Sequence, residues 1–183
     1  LIPLIIVGSI PAAIIGVMLD EPVNYAFQNI LPIAVAFVLC GIMIYSVKFA
    51  HEKNDSIGYS AAIIIGIVEG ITIIPGFSRS GATIATALLL GIKREKSFKF
   101  SFLLSIPAIL GALGYSFLKR SGELASAEVG WPEIITGVIV AMLIGYIALK
   151  LLWKILVKKK FHFFAFYCWL LGTVLIMLSL KWF

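Results

Sequence analysis

The sequence predicts an all-α polytopic membrane protein, with about five transmembrane helices and one re-entrant helical hairpin. Three observations carry this. Of the 183 residues, 61% are hydrophobic and only 13% charged, whereas soluble domains hold about 45–50% apolar residues. The apolar residues fall into runs near the ~20 needed to cross hydrocarbon. One further run is cut by Pro75-Gly76 and Ser80-Gly81.

In chain order, the runs predict spans near 1–19, 30–47, 98–117, 133–153 and 163–180. With short connections these fill the chain, so residues 1–183 form a single membrane domain. Leu1 already lies in an apolar run with no charged stretch or cleavage site before it, so the chain reads as a piece of a longer one rather than as starting with a signal peptide. Prolines within spans, Pro11 and Pro107, are tolerable where neighbouring helices re-satisfy the freed carbonyls. Ser-Ile-Pro-Ala occurs at residues 9–12 and 105–108, a match that chance or packing explains. Trp131, Trp153, Phe161, Phe163, Phe164, Tyr167 and Trp182 sit near span ends, as interfacial anchors do.

Residues 59–91 are apolar enough for the membrane, but their breaks leave halves of about sixteen and eleven residues. Neither half crosses alone, and irregular backbone at that depth persists only where protein or a wet cavity surrounds it. A hairpin that enters and leaves on one side follows. Charge supports it: Lys48, Lys53, Lys93, Arg94, Lys96, Lys99, Lys154, Lys158, Lys159 and Lys160 then share one face, leaving Lys119, Arg120 and Lys181 opposite. A full crossing divides the same cations five to eight. By the positive-inside rule the rich face is cytoplasmic and the C-terminus lies outside. The net charge of +6 therefore reflects topology and calls for no nucleic-acid partner.

The hairpin tip carries the chemistry. A guanidinium at membrane depth costs at least about 2.5 kcal/mol and usually marks a functional site. Arg79 lies there among Ser78, Ser80 and Thr83. A helix starting near Ser80 points unpaired N–H groups and its positive dipole end at the tip, which suits an anion. Pro75 turns the chain, Gly76 and Gly81 let a ligand oxygen approach backbone, Ser78 or Ser80 can cap the helix, and Arg79 offers a fork matched to phosphate. Glu69, ten residues upstream, is expected to be neutral, paired with Arg79, or bound to a metal touching the phosphate. A purely structural Glu69–Arg79 pair is the plainer alternative.

Other polar residues have simpler readings. His51 and His162 are loop residues beside lysines, Lys158-Lys159-Lys160 is a topology signal, and Glu95 and Lys99 are spaced to pair along a helix. Cys40 and Cys168 lie in apolar runs without metal-like spacing and read as small core residues with no disulfide.

Glu69-Gly70-Ile71-Thr72, the stretch Pro75-Gly76-Phe77-Ser78-Arg79-Ser80-Gly81-Ala82-Thr83, and Phe100-Ser101-Phe102-Leu103-Leu104 together resemble the C-terminal signature of bacterial undecaprenyl-diphosphate phosphatases, the bacitracin-resistance type. The resemblance implies a multi-pass enzyme of the bacterial inner membrane that removes the terminal phosphate of a polyprenyl diphosphate, recycling the lipid carrier of cell-wall synthesis. It implies two inverted repeats, each a hairpin and three helices. Residues 1–47 then form the last two helices of the first repeat and 59–180 the second, with its hairpin at 59–91.

The resemblance also implies a divalent cation, Mg²⁺ or Ca²⁺, whose ligands this sequence does not identify. The family's first-repeat Glu-x-x-x-Glu pair and Ser/Thr-rich Gly-His stretch are not among these residues, and Ile73 stands where a second-repeat copy of the second acid falls. Arg79, Ser78, Ser80 and Thr83 carry over as the diphosphate-binding half of the site, Glu69 as an echo of the first acid, and Pro75, Gly76 and Gly81 as the substrate-binding turn. Weak binding and negligible turnover are expected of this chain alone. Two other classes stay open: a transporter or flippase for a phosphorylated polyprenyl lipid, since broken helices also build transport sites, and a binding-only protein. The expected partners are the lipid substrate and the surrounding membrane lipids, with the oligomeric state open.

Overall fold

The architecture follows from the alternation of long apolar helices with one broken one. The computed structural model describes residues 1–119 and 130–181. Its helices are α1 (Ile2–Met18), α2 (Asp20–Gln28), α3 (Ile30–Ser46), α4 (Tyr59–Ile71), α5 (Arg79–Leu89), α6 (Arg94–Lys119), α7 (Trp131–Val157) and α8 (Phe164–Lys181), with 3₁₀ turns at Val47–Phe49 and Phe161–Phe163. Four helices are long and apolar enough to cross a membrane, and the α1–α2 pair, bent by 59°, makes a fifth candidate. Exposed Ile2, Ile6, Ile10 and Ile14 form a helical stripe on α1, as a lipid-facing surface requires.

All five expected spans are helices, within a few residues of the expected ends. The short helix α2 was not expected: its polar Asp20-Glu21-Pro22 start ends the apolar run, and the acids then favour a helix N-terminus. Its Asp20 receives Lys119 Nζ at 2.5 Å, which joins the start of α2 to the end of α6. Arg120 and Trp182, and the side chain of Lys181, lie outside the described residues.

Helices α4 and α5 form the hairpin, and their bases are tied together. The backbone N–H groups of Lys53 and Asn54 both donate to Gly91 O at 2.8 Å, and Lys93 N–H returns to Asn54 O at 3.1 Å. The chain therefore enters and leaves at one end of the bundle. The descending half is α4, thirteen residues rather than about sixteen. It stops early because Thr72 to Phe77 run as successive tight turns, with Ile73 N–H on Gly70 O and Phe77 N–H on Ile74 O.

Small residues bring α1 against α4. A Cβ on Gly66 would lie 1.9 Å from Gly8 O, and one on Gly70 would lie 2.7 Å from Ile15 Cβ. Without side chains there, the backbones touch, the usual way membrane helices gain packing where lipid removes the hydrophobic drive. The same device joins α3 to α8, where a Cβ on Gly41 would lie 2.5 Å from the Trp169 ring. Between these pairs α5 is buried on all sides from Gly81 to Leu88, as broken backbone at membrane depth demands. Ile44, Ile84, Leu88, Leu156 and Phe161 form one core cluster around it, and Ile65, Ala87, Phe100 and Leu104 another.

Phe161 is thus a core residue and not an interfacial anchor. The 3₁₀ turn that starts α8 rotates its ring inward, leaving it 2% exposed, while Phe163 remains 56% exposed. Glu95 and Lys99 do pair, at 2.7 Å, on the exposed side of α6.

Candidate functional site

The hairpin tip is assembled by three locally determined features. Gly76 takes φ +102°, a conformation that L side chains rarely adopt, and a Cβ there would meet Ile33 O at 2.5 Å. This presses the turn onto α3. Ser78 is then extended (φ −78°, ψ 108°) and its Oγ accepts Gly81 N–H at 3.2 Å, the N-cap that starts α5 at Arg79. Ser78 N–H points to Cys40 Sγ at 3.4 Å, fixing the tip to the middle of α3.

The arrangement suits an anion. Ser78 is exposed, Arg79 and Ser80 are partly exposed, and Gly81 is buried behind them, so the uncapped first N–H groups of α5 face outward with the positive helix end. The Arg79 side chain has no hydrogen bond or ion pair among the described residues, so its fork of donors is uncommitted. Thr83 sits deeper, 1% exposed, with its hydroxyl donating to Arg79 O at 2.9 Å. That bond holds the first turn of α5 and leaves the oxygen lone pairs for a further donor.

Of the three states expected for Glu69, the ion pair with Arg79 is not formed. Glu69 is 2% exposed, and neither carboxylate oxygen has a hydrogen-bond partner. The reason is the length of the turn: six residues of tight turns follow α4, so Arg79 emerges on the other half of the hairpin, acting on Glu69 through space without touching it. The structural-pair reading fails on this geometry. Thr72 Oγ1 donates to Glu69 O at 2.6 Å, a bond to the backbone that leaves the carboxylate unassisted.

No group of three or more His, Cys, Asp or Glu side chains comes together among the described residues. Glu69 offers oxygen ligands from one residue, so these residues do not form a complete cage for a divalent cation.

Two features were not anticipated from the sequence: a contact between the two cysteines and an unpartnered Ser101 hydroxyl. Cys40 and Cys168, 128 positions apart by number, meet thiol to thiol beneath the tip. Both remain free, and nothing in their spacing reveals the contact. Ser101 is 3% exposed with an unpartnered Oγ, in a helix where serine usually bonds its own backbone. It belongs to the Phe100–Leu104 stretch, where the lone hydroxyl among aromatic and leucine residues was the available signal.

The fold and this site define a class: a multi-pass α-helical membrane protein with an anion-suited tip on a re-entrant hairpin. The sequence profile of the family described as bacitracin resistance protein BacA matches residues 1–174, and the chain belongs to that family. Among relatives, an undecaprenyl-diphosphatase of Halothermothrix orenii is 38% identical over 179 residues, 96% of this chain and 69% of the relative. One of Desulforapulum autotrophicum is 38% identical over 177 residues, 95% of this chain and 63% of the relative. One of Methanosphaera stadtmanae is 35% identical, covering 96% of this chain and 63% of the relative. The chain thus spans about two thirds of the length of these curated relatives.

Proposed function

We propose that this chain supplies the diphosphate-binding half of a membrane phosphatase that converts undecaprenyl diphosphate to undecaprenyl phosphate. The observation that carries the reading is the tip itself: a Ser78-capped helix start, an uncommitted Arg79 and a buried, unpartnered Glu69 on one hairpin. The names of the relatives support the phosphatase activity in this reading.

Hydrolysis of a phosphoanhydride gathers charge on the transferring phosphoryl group and on the leaving phosphate. In the proposed complex Arg79 forks onto the terminal phosphate, the α5 N–H groups hold a second oxygen, and Ser80 adds a hydroxyl donor. Fixed donors of this kind act most strongly where water is excluded, as within a bundle. Thr83 holds the backbone of that turn, and Gly76 and Gly81 keep the approach open. Glu69 is the group in this chain able to hold or release a proton near the phosphate. A divalent cation, Mg²⁺ or Ca²⁺, neutralises phosphate charge when bound, and its remaining ligands come from outside the residues described.

Residues 1–47 act in this reading as the last two helices of one repeat and 59–180 as the other, with the lysine-rich face cytoplasmic and the C-terminus outside. The tip then lies toward the outer face, since Ile73 abuts Gly16 near the end of α1 and Gly76 abuts Ile33 near the start of α3. The test is phosphate release from undecaprenyl diphosphate by the complete protein in detergent. Release that depends on Arg79 supports the reading. Intact diphosphate carried across a vesicle membrane refutes it in favour of a transporter.

A further inference from the structure

At the hairpin base, far from the tip, a cavity of about 410 Å³ with a cationic lining opens among three connections of the bundle. Its walls include Lys48, His51 and Lys53 from the segment after α3, Arg94 from the start of α6, and Lys159 and His162 from the turn between α7 and α8. One side of the wall is tied by hydrogen bonds from Arg94. Arg94 Nε donates to Glu52 Oε1 at 2.8 Å, its backbone N–H donates to Glu52 Oε2 at 3.2 Å, and Nη1 donates to Leu156 O at 3.3 Å. That ties all three connections together and uses up the one acid of the cavity. Asp55, the next nearest acid in sequence, is taken by Lys93 at 2.6 Å.

Lys48, Lys53 and Lys159 are left without an acidic partner among the described residues. Lys159 is held there at a cost. It takes φ +58° and is the only non-glycine described with positive φ. Lys159 N–H donates to Leu156 O at 3.0 Å and Lys160 N–H to Ile155 O at 3.1 Å, the Schellman ending of α7, in which glycine usually occupies the left-handed position. A lysine there strains the backbone and places a cation at the cavity. Phe49 and Phe163, neighbours in sequence of the lining segments, are 66% and 56% exposed, an apolar flank beside a cationic hollow.

We propose that this cavity is a second anion site, which binds a phosphate monoester group at the end of the bundle opposite the hairpin tip. Three ammonium groups without an acidic partner, that of Lys48 lying over the Tyr45 ring at 5.8 Å, and two imidazoles match a dianion with three oxygens, and the exposed phenylalanines suit an acyl chain attached to it. The same chemistry is offered by the headgroup of phosphatidic acid and by free inorganic phosphate.

The test is calorimetric titration of the purified protein with detergent micelles containing phosphatidic acid or phosphatidylcholine, and with inorganic phosphate. Parent protein is compared with Lys159→Gly, with the Lys53→Gln, Lys159→Gly pair, and with Arg79→Gln. Glycine relaxes the left-handed turn, so Lys159→Gly keeps a thermal midpoint at or above the parent's, and loss of binding cannot be laid to unfolding. The expected result is preference for phosphatidic acid over phosphatidylcholine, competition by phosphate, a loss of about fivefold for each lysine removed, and retention in Arg79→Gln. Phosphate binding without preference for phosphatidic acid, still lost in the lysine pair, supports the site with free phosphate as its source. Binding that survives in the lysine pair, that vanishes only in Arg79→Gln, or that is absent throughout overturns the proposal.

Discussion

Glu69 and Arg79 stand on opposite halves of one hairpin and do not touch, although each is the nearest opposite charge the sequence offers the other. A buried carboxylate without a partner is destabilising by several kcal/mol when ionised, so its retention calls for a use. Glu69→Gln keeps the shape and removes the charge. The expected outcome is an equal or higher thermal midpoint in detergent, with phosphate release by the complete protein falling about 10²- to 10⁴-fold, the range for loss of a proton-transfer group. Unchanged turnover with a raised midpoint makes Glu69 a passive residue.

Because the Arg79 fork is uncommitted to protein, replacing it breaks no ion pair. Arg79→Lys keeps the charge and loses bidentate geometry. Its thermal midpoint should shift by no more than the ~0.5 kcal/mol typical of substitutions that disturb no contact. Turnover should fall about 10²- to 10³-fold, as when one fixed donor to a transition-state oxygen is removed. Near-normal turnover assigns Arg79 a merely structural place.

The α1–α4 contact sets the position of the whole descending half. Gly66→Ala puts a methyl 1.9 Å from Gly8 O and 2.9 Å from Gly8 Cα, backbone atoms with no flexible end to swing away. The helices must part, at a cost of about 1–3 kcal/mol. Gly137→Ala on α7 is the matched control, since nothing lies within 4 Å of its added carbon. Melting of both variants in one detergent checks this. Gly66→Ala should melt lower and Gly137→Ala should not.

How much of this was legible in the sequence depends on the range of the signal. The spans were legible because length and apolarity are local, and so was the hairpin, because Pro75-Gly76 and Ser78 act on their own neighbours. Helix α2 was missed because a polar nine-residue segment carries no span signal and its contacts are distant ones. Whether Glu69 pairs with Arg79 stayed open in the sequence because the tight turns from Thr72 to Phe77, which separate the two, depend on packing against Ile33 and Gly16. The meeting of Cys40 with Cys168, and of His51 with His162 at one cavity, rests on helix pairing that no local pattern encodes.

The same-side entry and exit of the hairpin has a direct consequence for labelling. Asp55 precedes α4 and Glu95 follows α5, both are exposed, and the hydrogen bonds from Lys53 and Asn54 to Gly91 hold their segments side by side. In a background of Cys40→Ala and Cys168→Ala, the single substitutions D55C and E95C should both react with a membrane-impermeant maleimide from one side of sealed vesicles. Lys119 lies at the far end of α6, a helix long enough to cross, so K119C should react only from the other side. If 59–91 crossed the membrane once, D55C and E95C would label from opposite sides. The side shared by D55C and E95C also fixes orientation: protection in intact cells and reaction in inverted vesicles places the lysine-rich face, and the cavity at the hairpin base, in the cytoplasm.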